Sequence, residues 1–145
     1  MSLNATAQSV SGTLRQEVLI DGQHRLVTDE PPRLGGEGSG PAPHELLPAA
    51  IASCVSTSLV MYARTHGWDL GDVSVDVEFD NRSTPRRCVI AITLGAVLDT
   101  PQLQRLERVA RACPVRRSLE AGVEFTETIL CDPAASARVS AERAS

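Results

Sequence analysis

The sequence predicts one domain of mixed helices and antiparallel strands, and three observations carry that expectation. Leu46 to Ala63 contains no charged residue and reads as one long helix. Val73, Val75, Val77 and Phe79 alternate with polar residues, and Cys88, Ile90, Ile92 and Leu94 recur at the same period-two spacing of half-buried strands. Leu103, Leu106, Ala110 and Cys113 then recur at helical spacing behind a capping signal at Asp99 or Thr100 and a first-turn Pro101.

The uncharged helix organises the rest. Counting 100° per residue, Leu47, Ile51, Cys54, Ser58, Met61 and Tyr62 fall in one stripe, so Cys54 is expected mid-helix and facing inward. The small residues Ala49, Ala50, Ala52, Ser53 and Ser56 cover much of the remainder, where another backbone can approach closely. A helix with no polar face is usually buried all round. A chain of 145 residues would struggle to do that alone, which points to a partner subunit. Its length approaches that of a membrane span. Pro48 and the Ser53, Ser56, Thr57, Ser58 cluster argue instead for a buried soluble helix.

Composition bounds the function. A hydrophobic content of 42% and a charged content of 22% are ordinary for a globular domain, and 3% aromatics demand an aliphatic core. A net charge of −4 leaves no electrostatic footprint for nucleic acid or anionic lipid. MSLNATAQSV has neither a basic nor an apolar signal region, so a cytoplasmic protein with mostly reduced cysteines is expected.

Taken in order, Val10 to Thr28 reads as one or two strands with a hairpin turn at Asp21-Gly22. DEPPRLGGEGSGPAP, from Asp29 to Pro43, is a loop leading into the helix, which ends near His66-Gly67. Pro48 requires that the regular helix begin close to it or that its first turn be kinked. The two alternating strands are joined by NRSTPR. After the second helix, PVRRSLE suits a short helical turn closed by Gly122, and Val123 to Leu130 reads as a last strand. The domain is taken as residues 1–131, with 132–145 a frayed or disordered tail.

Two cysteines stand out as chemistry. Cys54 lies in the first helix's stripe and Cys113 at the end of the second, so packing of those helices would bring two thiols within disulfide reach. An inward cysteine is more often a small core residue than a nucleophile, and both readings stay open on spacing alone. Cys113 precedes Pro114 and can cap the next turn, where the helix dipole favours a thiolate. Cys88 fits a buried strand position and Cys131 a strand end, so both are structural by default. The cysteines and His24, His44 and His66 form no pair at metal-ligand spacing, and His66 reads as a solvated helix-end residue.

GPAPHELLPAAIASC, MYARTHGW and RLERVARACPVRRSL together resemble the family of osmotically inducible protein C (OsmC) and the organic hydroperoxide resistance proteins (Ohr). DEPPRLGG fits the general OsmC-like branch, and the resemblance runs from about Val18 to Leu130. It implies an α+β fold in which two subunits intertwine as a homodimer, with central helices packed between β-sheets and two sites at the interface. It implies thiol-dependent reduction of organic hydroperoxides, and of hydrogen peroxide less readily. Cys54 matches the attacking position and Cys113 the resolving one. An external dithiol reopens the disulfide, and no metal, flavin or haem cofactor is implied.

The chain departs from the Ohr branch where the thiolate is activated. That branch carries PEQL, whose glutamate helps an arginine hold the thiolate. Here His44 stands in the glutamate's place and the carboxylate has moved to Glu45, 100° further round a helix. Arg15 is the best match for the arginine and Arg25 the alternative, while Arg116 and Arg117 beside Cys113 could supply local positive charge or be solvated surface residues. Two other functions fit the same sequence: a stress-associated protein binding an apolar ligand with little turnover, and a general thiol–disulfide exchanger.

Overall fold

The structure is a computed structural model that describes residues 2–134; most of the tail expected to be disordered, residues 135–145, lies outside the described residues. The chain opens with an antiparallel meander of β1 (Ala5–Ser9), β2 (Gln16–Ile20) and β3 (His24–Thr28). Asp21 and Gly22 both take left-handed φ values, 51° and 67°, and Gln23 N donates to Ile20 O at 3.1 Å. That is the twist a tight hairpin needs, and it pairs Ile20 with His24. The meander has three strands rather than one or two, and its first lies ahead of Val10. All five residues of β1 are exposed, so its backbone pairing with β2 defines it and no apolar pattern announces it.

Helix α1 spans Leu46–His66 and closes on Gly67, whose left-handed backbone (φ 65°) lets its N–H reach the Ala63 and Arg64 carbonyls. Pro48 falls in the first turn, where its missing N–H would have no intrahelical partner anyway. The buried face is Ile51, Val55, Leu59 and Ala63. This corrects the expected stripe. Cys54, Ser58 and Tyr62 flank the buried face as half-buried residues, and Met61 is 62% exposed. With no charge between Leu46 and Ala63, the sequence holds nothing to mark where the buried face ends. By length and composition α1 could cross a membrane; here it packs against β4 and two later helices as the core helix.

Strands β4 (Val73–Asp80) and β5 (Arg87–Leu94) form the expected antiparallel hairpin, with Val77 opposite Ile90 and Phe79 opposite Cys88. Along β4 the half-buried and exposed residues alternate strictly, and Val73, Val75, Val77, Ile90 and Leu94 pack on the α1 core. Helix α2 (Thr100–Arg111) starts at Asp99, whose carboxylate accepts from Gln102 N at 2.8 Å while the Gln102 side chain accepts from Asp99 N at 3.0 Å. Leu106, Ala110 and Cys113 are buried, but Leu103, one turn ahead of Leu106, is 45% exposed. Helix α3 (Pro114–Ala121) follows directly.

No strand forms over 123–130 among the described residues. Val123, Phe125, Ile129 and Leu130 are exposed there. A strand is a pairing, and an alternating segment cannot supply its own partner.

Candidate functional site: two thiols between α1 and α3

All four cysteines are free thiols. The packing of α1 against α2 and α3 brings Cys54 and Cys113 together, with the Cys54 side chain near enough to act on the Cys113 thiol. Cys113 is fully buried in the core; Cys54 packs against the same core from its half-buried flank. Ser58 donates to the Cys54 carbonyl at 2.8 Å, which satisfies the hydroxyl on the turn below the thiol.

Cys113 does occupy the N-cap of α3. The thiolate expected there is nonetheless disfavoured. Burial pushes the Cys113 thiol above its ordinary range, and the neighbouring Cys54 side chain adds to that. The backbone amides of Arg116 and Val115 pull the other way and do not win. Desolvation of a charge inside an aliphatic core outweighs two amides at the start of a short helix. Cys113 is a neutral, sheltered thiol.

The candidate activating groups are not gathered at the thiols within one chain. Glu45 is exposed, and its carboxylate accepts from Ala42 N at 2.9 Å, capping the 3-10 turn Pro43–Glu45 that leads into α1. His44 is exposed on the same turn. Arg15 stands at the entry to β2 and Arg25 on β3, and no strand of that sheet makes an extensive contact with α1, α2 or α3. The two arginines differ in one respect. Arg25 is exposed, whereas the Arg15 Nε is buried and has no hydrogen-bond partner among the described residues. Arg116 is half-buried and bonds Glu120 Oε1 through Nε at 2.8 Å; Arg117 is exposed.

Cys88 is exposed, against the expectation of a buried strand residue, and Cys131 is exposed with no strand to end. The apolar face of the β4–β5 hairpin runs on past α1 at the Phe79–Cys88 pair. It forms a cleft of about 570 Å³ there, walled by Ile51, Phe79, Ile90 and Leu119, with Arg86 and Arg116 at its sides. Burial raises the Cys88 pKa and the charge of Arg116 opposes it. Among the described residues no three His, Cys, Asp or Glu side chains converge as a metal site would need.

One polar residue escaped the sequence reading. Asp29 is 1% exposed, and its carboxylate accepts from Glu30 N (2.9 Å), Glu37 N (3.1 Å), Ser39 N (3.0 Å) and Ser39 Oγ (2.9 Å). These bonds, the one to Ser39 N foremost, hold its pKa below the ordinary 3.8 against the cost of burial. The signal was an acid followed by a loop dense in Gly and Pro with one serine, Ser39, whose amides can turn inward.

The fold and the site define a class: an α+β domain in which a core helix and the start of a later helix bring two cysteines together. Residues 36–128 match the family model described as OsmC-like protein, and the chain belongs to that family. Solved structures agree on the fold. A candidate osmotic-stress-induced and detoxification-response protein from Psychrobacter arcticus is 27% identical, with a TM-score of 0.66 over 78% of this chain and 85% of that one. An OsmC-like protein from Mycoplasma pneumoniae, 15% identical, has a TM-score of 0.67 over 83% and 88%. An organic hydroperoxide resistance protein OsmC from Legionella pneumophila, 24% identical, has a TM-score of 0.56 over 81% and 88%. A search of curated proteins found no match.

Proposed function

We propose that this chain is a cysteine-based peroxidase for organic hydroperoxides, with Cys54 the attacking thiol and Cys113 the resolving one. The observation that carries the reading is the pair itself, a half-buried Cys54 against a fully buried neutral Cys113. Membership of the OsmC-like family, and fold neighbours that include a protein named for organic hydroperoxide resistance, support it.

The Cys54 thiolate attacks the distal peroxide oxygen and breaks the O–O bond. Cys54 becomes a sulfenic acid, and the alkoxide takes a proton and leaves as an alcohol. The Cys113 thiol attacks the sulfenic sulfur, forming the Cys54–Cys113 disulfide and releasing water. An external dithiol restores both thiols by exchange and is itself oxidised to a disulfide. The neutral state of Cys113 suits this order, because a sheltered thiol does not compete with Cys54 for peroxide.

The working unit is a homodimer of a domain spanning 1–131, in the cytoplasm. Three features support the dimer: the uncharged flanks of α1, a meander with no extensive contact to its own helices, and the exposed apolar side chains of Val123, Phe125, Ile129 and Leu130. In that assembly the sheet carrying Arg15 and Arg25 reaches a thiol pair, and Arg15, with its buried unpartnered Nε, is the stronger candidate for holding the thiolate. His44 and Glu45 sit at the head of α1, where Glu45 serves first as a backbone cap.

One equivalent of an organic hydroperoxide, followed by mass spectrometry of the intact and digested protein, tests this. The expected product is an intrasubunit Cys54–Cys113 disulfide with Cys88 and Cys131 still free. Four thiols reacting slowly and without order would end the peroxidase reading. It would favour a second one, an apolar-ligand protein using the cleft beside Phe79 and Ile90.

A further inference from the structure

The buried carboxylate of Asp29 has no part in the chemistry above, yet it is the hub of the loop that joins the N-terminal sheet to α1. Four donors converge on it, from Glu30, Glu37 and Ser39. The Asp29 N–H also donates to the Pro41 carbonyl at 3.1 Å, so the loop starts and finishes at the same place. Gly36 and Gly40 let it close, since a Cβ at Gly36 would strike the Glu30 carbonyl and one at Gly40 the Val27 carbonyl.

The closed loop sets the length of the link. With the hub made, β3 is joined to α1 by Asp29, its bond to Pro41, and the short run Ala42 to Glu45. With the hub broken, the link is the whole chain from 29 to 45. No strand of the meander makes an extensive contact with the helices of its own chain, so within one chain this link is what orients the sheet relative to α1. Arg15 stands immediately before β2, its Nε buried without a hydrogen-bond partner among the described residues. We propose that Asp29 is a positioning residue for the Cys54 thiol: by closing the 29–41 loop it fixes where the sheet bearing Arg15 stands relative to α1. The inference rests on the reading of Cys54 as the reacting thiol.

The test uses the full chain with Asp29→Asn, Ser39→Ala, Arg15→Ala and the double variant Asp29→Asn/Arg15→Ala. Trypsin cleavage after Arg33, inside the loop, reports whether the hub is open. Iodoacetamide alkylation of Cys54 across pH reports the thiolate without any peroxide. Asp29→Asn should be cut at Arg33 about tenfold faster and alkylated at Cys54 about tenfold slower at neutral pH, its profile moved to higher pH. Arg15→Ala should move the profile alike, and the double variant should go no further than either single one, the mark of residues acting through one another. Ser39→Ala, which removes one of the four donors, should act in the same direction and less, and it carries the test if Asp29→Asn does not fold. An unchanged Cys54 profile in a chain cut faster at Arg33, additive losses in the double variant, or no faster cutting would each overturn the proposal. Peroxide consumption is followed in parallel. If the profile shifts as expected while the wild type consumes no peroxide, the positioning role stands and the peroxidase reading falls.

Discussion

Cys113 and Asp29 are both buried ionisable residues, and their surroundings drive them in opposite directions. Cys113 has an aliphatic core and another thiol about it, so its proton stays on; Asp29 has four donors, so its proton stays off. Each direction fixes a pH window. Asp29 has a folded pKa below its ordinary value, so its contribution is present above that value and is lost only as pH falls through the lowered folded one. Protection of the Glu37 and Ser39 amides from hydrogen exchange should therefore persist below pH 3.8 in the wild type and be weak at every pH in Asp29→Asn. At the thiols, Cys54→Ser should abolish peroxide consumption, and Cys113→Ser should leave Cys54 as a sulfenic acid that a dimedone probe captures. Sustained consumption by Cys54→Ser at the wild-type rate would remove Cys54 from the chemistry. Of the two arginines, Arg15→Ala should slow Cys54 oxidation more than Arg25→Ala, since Arg15 has the buried, unpartnered Nε and Arg25 is exposed. Stopped-flow oxidation of both variants decides the order.

At the scale of elements, α1 is held by a narrow seam. Ile51, Val55, Leu59 and Ala63 advance four residues at a time and face β4 and α2, and Leu59 is fully buried among them. Leu59→Ala should cost about 2–5 kcal/mol, the range for a buried leucine truncated to leave a cavity, measured by urea unfolding. A milder cost is expected at the start of α2. Asp99 and Gln102 satisfy each other's backbone N–H groups there, so Asp99→Ala should lose about 1 kcal/mol. A loss near zero would mean that water replaces the cap.

The whole molecule leaves much apolar surface uncovered in a single chain. Met61, Val123, Phe125, Ile129 and Leu130 are exposed, and the meander makes no extensive contact with a helix among the described residues. The proposed obligate dimer would cover all of these together, and its unfolding midpoint should rise with protein concentration. A folded monomer persisting on dilution to nanomolar concentration would contradict it. Met61→Lys offers a local check. In one chain it changes an exposed residue, so a fall in dimer affinity without loss of secondary structure would assign that flank of α1 to the interface.

Sequence by itself determined the elements whose cause is local. The α1 limits follow from Gly67 and an uncharged run, the β4–β5 hairpin from strict alternation, and the α2 start from Asp99, Pro101 and Gln102. It also singled out the two cysteines, because each falls on the inward stripe of its helix. What it could not determine depends on neighbours distant along the chain. The seam of α1 fell on Val55 and Leu59 rather than through Met61 because only a packed partner distinguishes the sides of an uncharged helix. The exposed β1 became a strand because β2 offers it a backbone ladder, while the better-patterned 123–130 found none. Asp29 reads in sequence only as the first residue of a loop, and Cys113 as a helix cap whose thiolate is favoured. Only tertiary structure decided that the first is buried among amides and the second among aliphatic side chains, because a group's charge is set by what surrounds it in space.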